Sequence, residues 1–246
     1  MVRKEVIAFA ATLVLGLPLG ASAVTIDDFS TQQSAVINFG APTPQTVTSN
    51  QAAPEAIGGS REITLTRHAP SFGTASVDSS LSDAGLLSLS MGAAVHADAL
   101  LVYDGSADGT LDAGGLGSVN LIQGGEDTLR VIVRSDLDAT IRIQFHSGSV
   151  DDYLYIEVPV SGQGTGDGAL QVLEFALTNG DLLTQGAGAD LTAVGAIQVL
   201  LFSDNASVDL QIDSISTVKG TPEPVAMSLL GLGLGGLVVA GRRRLA

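Results

Sequence analysis

Between residues 129 and 213 the chain repeatedly alternates apolar and polar side chains with a period of two. Leu129, Val131 and Val133 fall on one side of Arg130, Ile132 and Arg134. Ile141, Ile143 and Phe145 oppose Arg142, Gln144 and His146, and Leu154, Ile156 and Val158 oppose Tyr153, Tyr155 and Glu157. Val208, Leu210 and Ile212 alternate with Asp209, Gln211 and Asp213. Successive side chains of a strand point to opposite faces, so each run predicts a strand with one buried face. Shorter runs predict further strands at 24–29, 35–39, 62–67, 74–77, 86–91, 99–103, 170–177 and 197–202. Gly58-Gly59, Gly124-Gly125 and residues 161–168 read as turns or loops. Residues 41–56, with Pro42, Pro44 and Pro54, read as an exposed loop or an edge excursion. No long 3.6-residue period interrupts this pattern. The expected fold is therefore all-β, an antiparallel β-sandwich. A jelly-roll-like winding is expected because neighbouring strands are not all joined by tight hairpins.

The two ends carry a different pattern. Arg3 and Lys4 precede a nearly unbroken apolar run from residue 6 to 19, and Ala21-Ser22-Ala23 supplies small residues for cleavage. Residues 1–23 thus read as a signal peptide that signal peptidase removes between Ala23 and Val24. The run is about 14 residues, short of the roughly 20 that span a bilayer. At the other end Pro222-Glu223-Pro224 precedes an apolar stretch at 225–241, followed by Arg242, Arg243 and Arg244. As a transmembrane helix it would reach about 25 Å, enough for a thin bilayer. The arginines would stay cytoplasmic and place residues 24–220 outside. Gly231, Gly233, Gly235, Gly236 and Gly241 each weaken that helix by about 1 kcal/mol relative to Ala. Such a segment suits recognition and removal better than permanent anchoring, and a single-pass anchor is the alternative.

Pro-Glu-Pro, a Gly/Leu-rich apolar helix and a terminal Arg cluster, in that order over residues 221–246, resemble the PEP-CTERM protein-sorting domain. Thr221 stands where the family more often has Val. The resemblance implies export across the inner membrane of a Gram-negative bacterium and cleavage near Pro222-Glu223-Pro224 by an exosortase. It also implies association with exopolysaccharide or biofilm matrix. In the middle region, Ile26-Asp27-Asp28-Phe29, Gly58-Gly59-Ser60-Arg61 and Tyr103-Asp104-Gly105 ahead of Gly115-Leu116-Gly117 diffusely resemble galactose-binding-like jelly rolls.

Charge narrows the partners. The chain has 26 acidic and 11 basic residues and no cysteine. Setting aside Glu5, Glu223, Arg3, Lys4 and the three terminal arginines leaves 24 acidic against 6 basic in residues 24–220, a balance of −18. Nucleic acid is excluded as a direct partner, because a phosphate backbone needs a basic face. Disulfides and thiolate zinc sites are excluded with the cysteines. So acidic a surface attracts cations, and Asp104, Asp108 and Asp112 in a Gly-rich stretch are the candidate Ca²⁺ ligands. Their spacing departs from the EF-hand, and Asp also caps turns without any metal.

Catalytic signatures are absent: there is no Gly-x-Ser-x-Gly elbow, phosphate loop, dinucleotide fingerprint or His-Glu-x-x-His helix. His68, His96 and His146 are scattered and expected on solvated strand faces. Glu126, Glu157 and Glu174 lie in the β region, where paired carboxylates could serve a secreted glycan hydrolase. Arg130, Arg142, Gln144, Tyr153 and Tyr155 fall on polar strand sides, where guanidinium, amide and ring groups could hold a sugar. If the strands bearing Arg130 and Arg142 pair, the two guanidinium groups share a face within reach of one anionic sugar. The leading expectation is an exported, non-catalytic envelope or matrix protein, with a carbohydrate-binding module and a secreted hydrolase as alternatives.

Overall fold

The alternating runs become strands, and the strands assemble into two antiparallel sheets around one core. The computed structural model describes residues 23–40, 44–68, 73–80, 85–164, 168–178 and 180–220. The signal segment 1–22 and the sorting tail 221–246, including Pro222, Glu223, Pro224, Arg242, Arg243 and Arg244, lie outside the described residues. Ala23 and Val24 lie within them, and Val24 opens the first strand. No helix among the described residues is long and apolar enough to cross a membrane.

The first sheet runs β11 (Gln171–Ala176), β8 (Thr128–Ser135), β14 (Asp209–Val218), β6 (Leu86–Met91), β5 (Ala75–Ser80) and β2 (Gln33–Ile37), with β1 (Val24–Asp27) alongside β14. The second runs β12 (Leu183–Gln185), β10 (Tyr153–Val160), β9 (Ala139–His146), β13 (Ala196–Phe202), β7 (Ala97–Tyr103), β4 (Ser60–Arg67) and β3 (Gln45–Ala52). Sequence neighbours pair as β3 with β4, β5 with β6 and β9 with β10, whereas β8 and β9 fall in different sheets.

Each apolar row turns inward as the alternation requires. Leu129, Val131 and Val133 from the first sheet and Ile141, Ile143 and Phe145 from the second are all fully buried in the common core. Strand β14 shows how register controls this. Val208, Leu210 and Ile212 are buried, then the pairing with β8 shifts between Ile212 and Ser214, and Ile215 and Thr217 become the buried residues. One extra residue in a strand reverses its facing, so this bulge swaps odd for even positions.

Two strands escape the hydrophobic pattern. The segment expected as a loop or edge excursion contains β3, which among the described residues pairs with β4 alone, at the end of the sheet. Its sequence QTVTSNQA has almost no apolar alternation, because an edge strand packs little against the core. The ladder and cross-strand hydroxyl contacts hold it instead, with Thr46–Thr66 and Thr48–Thr64 Oγ1 pairs at 3.2 Å. Strand β12 is three exposed residues held by the ladder with β10.

Candidate functional site

The solvent side of the second sheet brings together Tyr153, Tyr155, Phe202, Arg142, Gln144 and Gln198. Register places Tyr155, Gln144 and Gln198 in one row across β10, β9 and β13, and Glu157, Arg142, Leu200, Leu100 and Thr64 in the next. Arg142 sits between two rings, its guanidinium carbon 5.4 Å from the Tyr155 centroid and 5.7 Å from that of Phe202. Such positions over an aromatic face are attractive. Tyr153 and Tyr155 stand 5.9 Å apart, centroid to centroid. Beyond Phe202 the strip opens into a cleft of about 410 Å³ lined by Thr140, Pro159, Phe202, Asp138, Asp204 and Asn205, among others. A half-buried strip of rings flanked by amides, hydroxyls and carboxylates can stack a sugar's apolar face and exchange hydrogen bonds with its hydroxyls.

A loop closes the other end of this face. Residues 104–122 fold back over it, with the Gly109 amide donating to Glu62 at 2.5 Å and the Leu116 amide to the Gly195 carbonyl at 2.8 Å. Val119 and Val194 form an isolated bridge beneath it. Gly195 must be glycine, since a Cβ there would overlap the Ala113 carbonyl. The burial of one histidine corrects an expectation. His146 alternates outward as read, yet it is only 1% exposed, its ring 5.1 Å from that of Tyr153. Neither ring nitrogen reaches hydrogen-bond geometry. Burial pushes its pKa below the usual imidazole value, against weaker opposing pulls from the Ser149 backbone and Gln198. His68 and His96 are exposed as expected, with His68 Nε2 2.7 Å from Asp98.

The structure separates the two arginines that the sequence placed together. Arg130 lies on β8 in the first sheet and pairs with Glu174 on β11 at 2.7 Å. Arg142 lies on β9 in the second sheet and pairs with Glu157 on β10 at 2.5 Å. Strands β8 and β9 do not pair, so no shared anionic-sugar site forms between them. The remaining candidates, Arg142, Gln144, Tyr153 and Tyr155, do share one face. The same layout places Glu157 and Glu174 on different sheets, each engaged by an arginine, while Glu126 is buried in the turn before β8. These carboxylates do not face one another across a cleft.

The expected calcium loop is also redirected. Asp104 is fully buried and caps backbone, its oxygens accepting from the Ser106 amide at 3.0 Å and the Asp112 amide at 2.9 Å. Asp108 accepts from the hydroxyl and amide of Thr110, which hold its carboxyl below the usual carboxylate value, and Asp112 accepts from the Gly114 amide. Each aspartate thus stabilises the loop, as Asp does in turns. Among the described residues, Asp27, Asp28 and Glu55 form the group able to share a cation, with ligand oxygens within 4.8 Å of one another.

That group borders a buried network that sequence reading missed. Arg61 is fully buried and donates to Asp27 at 2.7 Å, to Gln33 at 3.0 Å and to the Thr31 carbonyl at 2.7 Å. Tyr103 adds a 2.8 Å hydrogen bond to the same Asp27 oxygen. Burial raises the Asp27 carboxyl, while Arg61 and the Phe29 and Tyr103 donors pull it down. Burial also pushes the Tyr103 phenol well above its usual range, keeping it a donor. The guanidinium supplies positive charge where the carboxylates converge.

No family model and no curated protein matches this chain. Among solved structures, similarity is found to PfGH50B at 12% identity and TM-score 0.40, over 64% of this chain and 22% of that one. An exo-β-agarase matches at 11% identity and TM-score 0.41, over 81% of this chain and 25% of that one. The family 11 carbohydrate-binding module of the cellulosomal cellulase Lic26A-Cel5E of Clostridium thermocellum matches at 11% identity and TM-score 0.39. There the alignment covers 83% of this chain and 98% of the module.

Proposed function

We propose that this chain is an exported, non-catalytic β-sandwich protein of jelly-roll-like winding that binds glycan on the outer face of its second sheet. The observation carrying this reading is the strip of Tyr155, Arg142 and Phe202, which stack on one another and lead into the 410 Å³ cleft. A pyranose lying on the strip would bury its apolar face against the rings. Gln144, Gln198 and the guanidinium would then meet its hydroxyls. The polar groups are held by neighbouring strands rather than by mobile loops, which favours a preformed site. Titration calorimetry against a panel of glycans is the test. Tyr155→Ala should weaken binding about tenfold, the ~1.4 kcal/mol within reach of one stacked ring. Binding that is indifferent to this change would remove the face from consideration.

Export and sorting rest on the sequence of the two ends. The signal-like residues 1–23 and the tail at 221–246 support passage through the inner membrane, processing by an exosortase and release to the cell surface or matrix. Exopolysaccharide is then the glycan at hand. Intact-mass measurement of the surface form from the native host should find a chain that begins at Val24 and ends near residue 222. A surface form still carrying Arg242, Arg243 and Arg244 would contradict it.

A further inference from the structure

We propose that Glu157 is the specificity-determining residue of this face, and that by holding Arg142 it restricts the ligand to uncharged glycans. The inference rests on the glycan reading of the face and adds the class of glycan. Of the described arginines, Arg61 and Arg67 are fully buried and Arg130 and Arg134 belong to β8 in the other sheet. Arg142 is therefore the guanidinium that a ligand on the strip would meet.

Its charge is already committed. Both Nε, at 3.0 Å, and Nη2, at 2.5 Å, donate to the same Glu157 oxygen. The pair is half-exposed, with side chains 33% and 42% accessible, so it lies in the path of a ligand. A guanidinium has five N–H donors, and this geometry uses two of them. Three remain for hydroxyl oxygens, and Glu157 keeps Oε2 to accept from a hydroxyl. A neutral sugar finds both donors and acceptors.

A uronate or sulfate finds the opposite. It would meet only the Nη1/Nη2 edge of a guanidinium whose charge Glu157 already offsets, and would approach Asp138 and Asp204, which line the adjoining cleft. Those carboxylates and the −18 balance of residues 24–220 repel an anionic polymer as it approaches Arg142. Specificity here comes from a repulsive element as much as from an attractive one. Replacing Glu157 by Gln keeps the shape and one acceptor oxygen for Arg142, turns the other oxygen into an amide donor, and releases the net charge of Arg142.

The experiment uses the full chain in mild detergent, as wild type and as Glu157→Gln, on an array of neutral polymers and of uronate polymers with their carboxyl-reduced counterparts. Wild type should favour neutral and carboxyl-reduced polymers over uronate polymers by at least tenfold at low salt. Glu157→Gln should raise the ratio of uronate to neutral binding at least tenfold, a rise that shrinks as salt increases, with the melting temperature unchanged. Wild type that takes uronate and neutral polymers alike, or a variant whose uronate-to-neutral ratio does not move, overturns the role of Glu157 while leaving the glycan face standing. A wild type that binds no polymer on the array overturns the glycan reading and this inference with it.

Discussion

Asp27→Ala should lower the stability of the folded domain by about 3–5 kcal/mol, the usual cost of stranding one partner of a buried ion pair. Asp27 and Arg61 both have side chains at 0% exposure and meet at 2.7 Å. Removing the carboxylate leaves a guanidinium with no water around it. Glu55 cannot replace the lost partner without moving, since it stands 3.9 Å from Arg61 and is engaged by the Thr31 amide and hydroxyl. Tyr103 would lose its acceptor at the same time. Replacing both charges, as Asp27→Leu with Arg61→Met, should recover most of the loss, because well-packed apolar groups often match a buried pair. Urea unfolding of the three variants measures this. A single substitution costing under about 1 kcal/mol would mean that the pair is hydrated in solution and not a structural tie.

Phe145→Ala should cost about 3–5 kcal/mol, whereas Arg142→Ala, three residues away on the same strand, should cost about 0–1 kcal/mol. Phe145 is fully buried in the core, so truncation removes its burial energy and leaves a cavity that the surrounding strands can only partly close. Arg142 is a third exposed and its ion pair is on the solvent side. The contrast separates the inner from the outer side of β9 by denaturant midpoint alone. Equal losses at both positions would mean that the guanidinium stacked between Tyr155 and Phe202 is structural, and would weaken its assignment to a ligand.

The inner rows of the sandwich were legible because facing within a strand is a local property. Ile141, Ile143 and Phe145 announce their side by spacing alone, and the structure buries all three. The same rule carried information that went unread. Arg61, Ile63, Leu65 and Arg67 are in phase along β4, and all four are fully buried. Arg67 is accommodated because its Nη1 donates to the Gly73 and Asn38 carbonyls. An arginine in phase with buried aliphatics was the available sign of an internal polar network. Its partners were not available, since Asp27 and Tyr103 lie 34 and 42 residues from Arg61 along the chain.

The sequence by itself determined the class of fold, the side of most strands that faces the core and the acidity of the surface. Each of these follows from the order and kind of neighbouring side chains. Only the tertiary structure decided which strands pair, that β8 and β9 belong to different sheets, and hence that Arg130 and Arg142 are apart. It also decided that His146 is buried beside Tyr153, and that Asp104, Asp108 and Asp112 cap turns instead of converging on one another. The physical reason is the same in each case. Alternation tells which way a side chain points from its own strand, but what it meets there is set by segments brought close through sheet pairing, and period-two spacing carries no record of the partner.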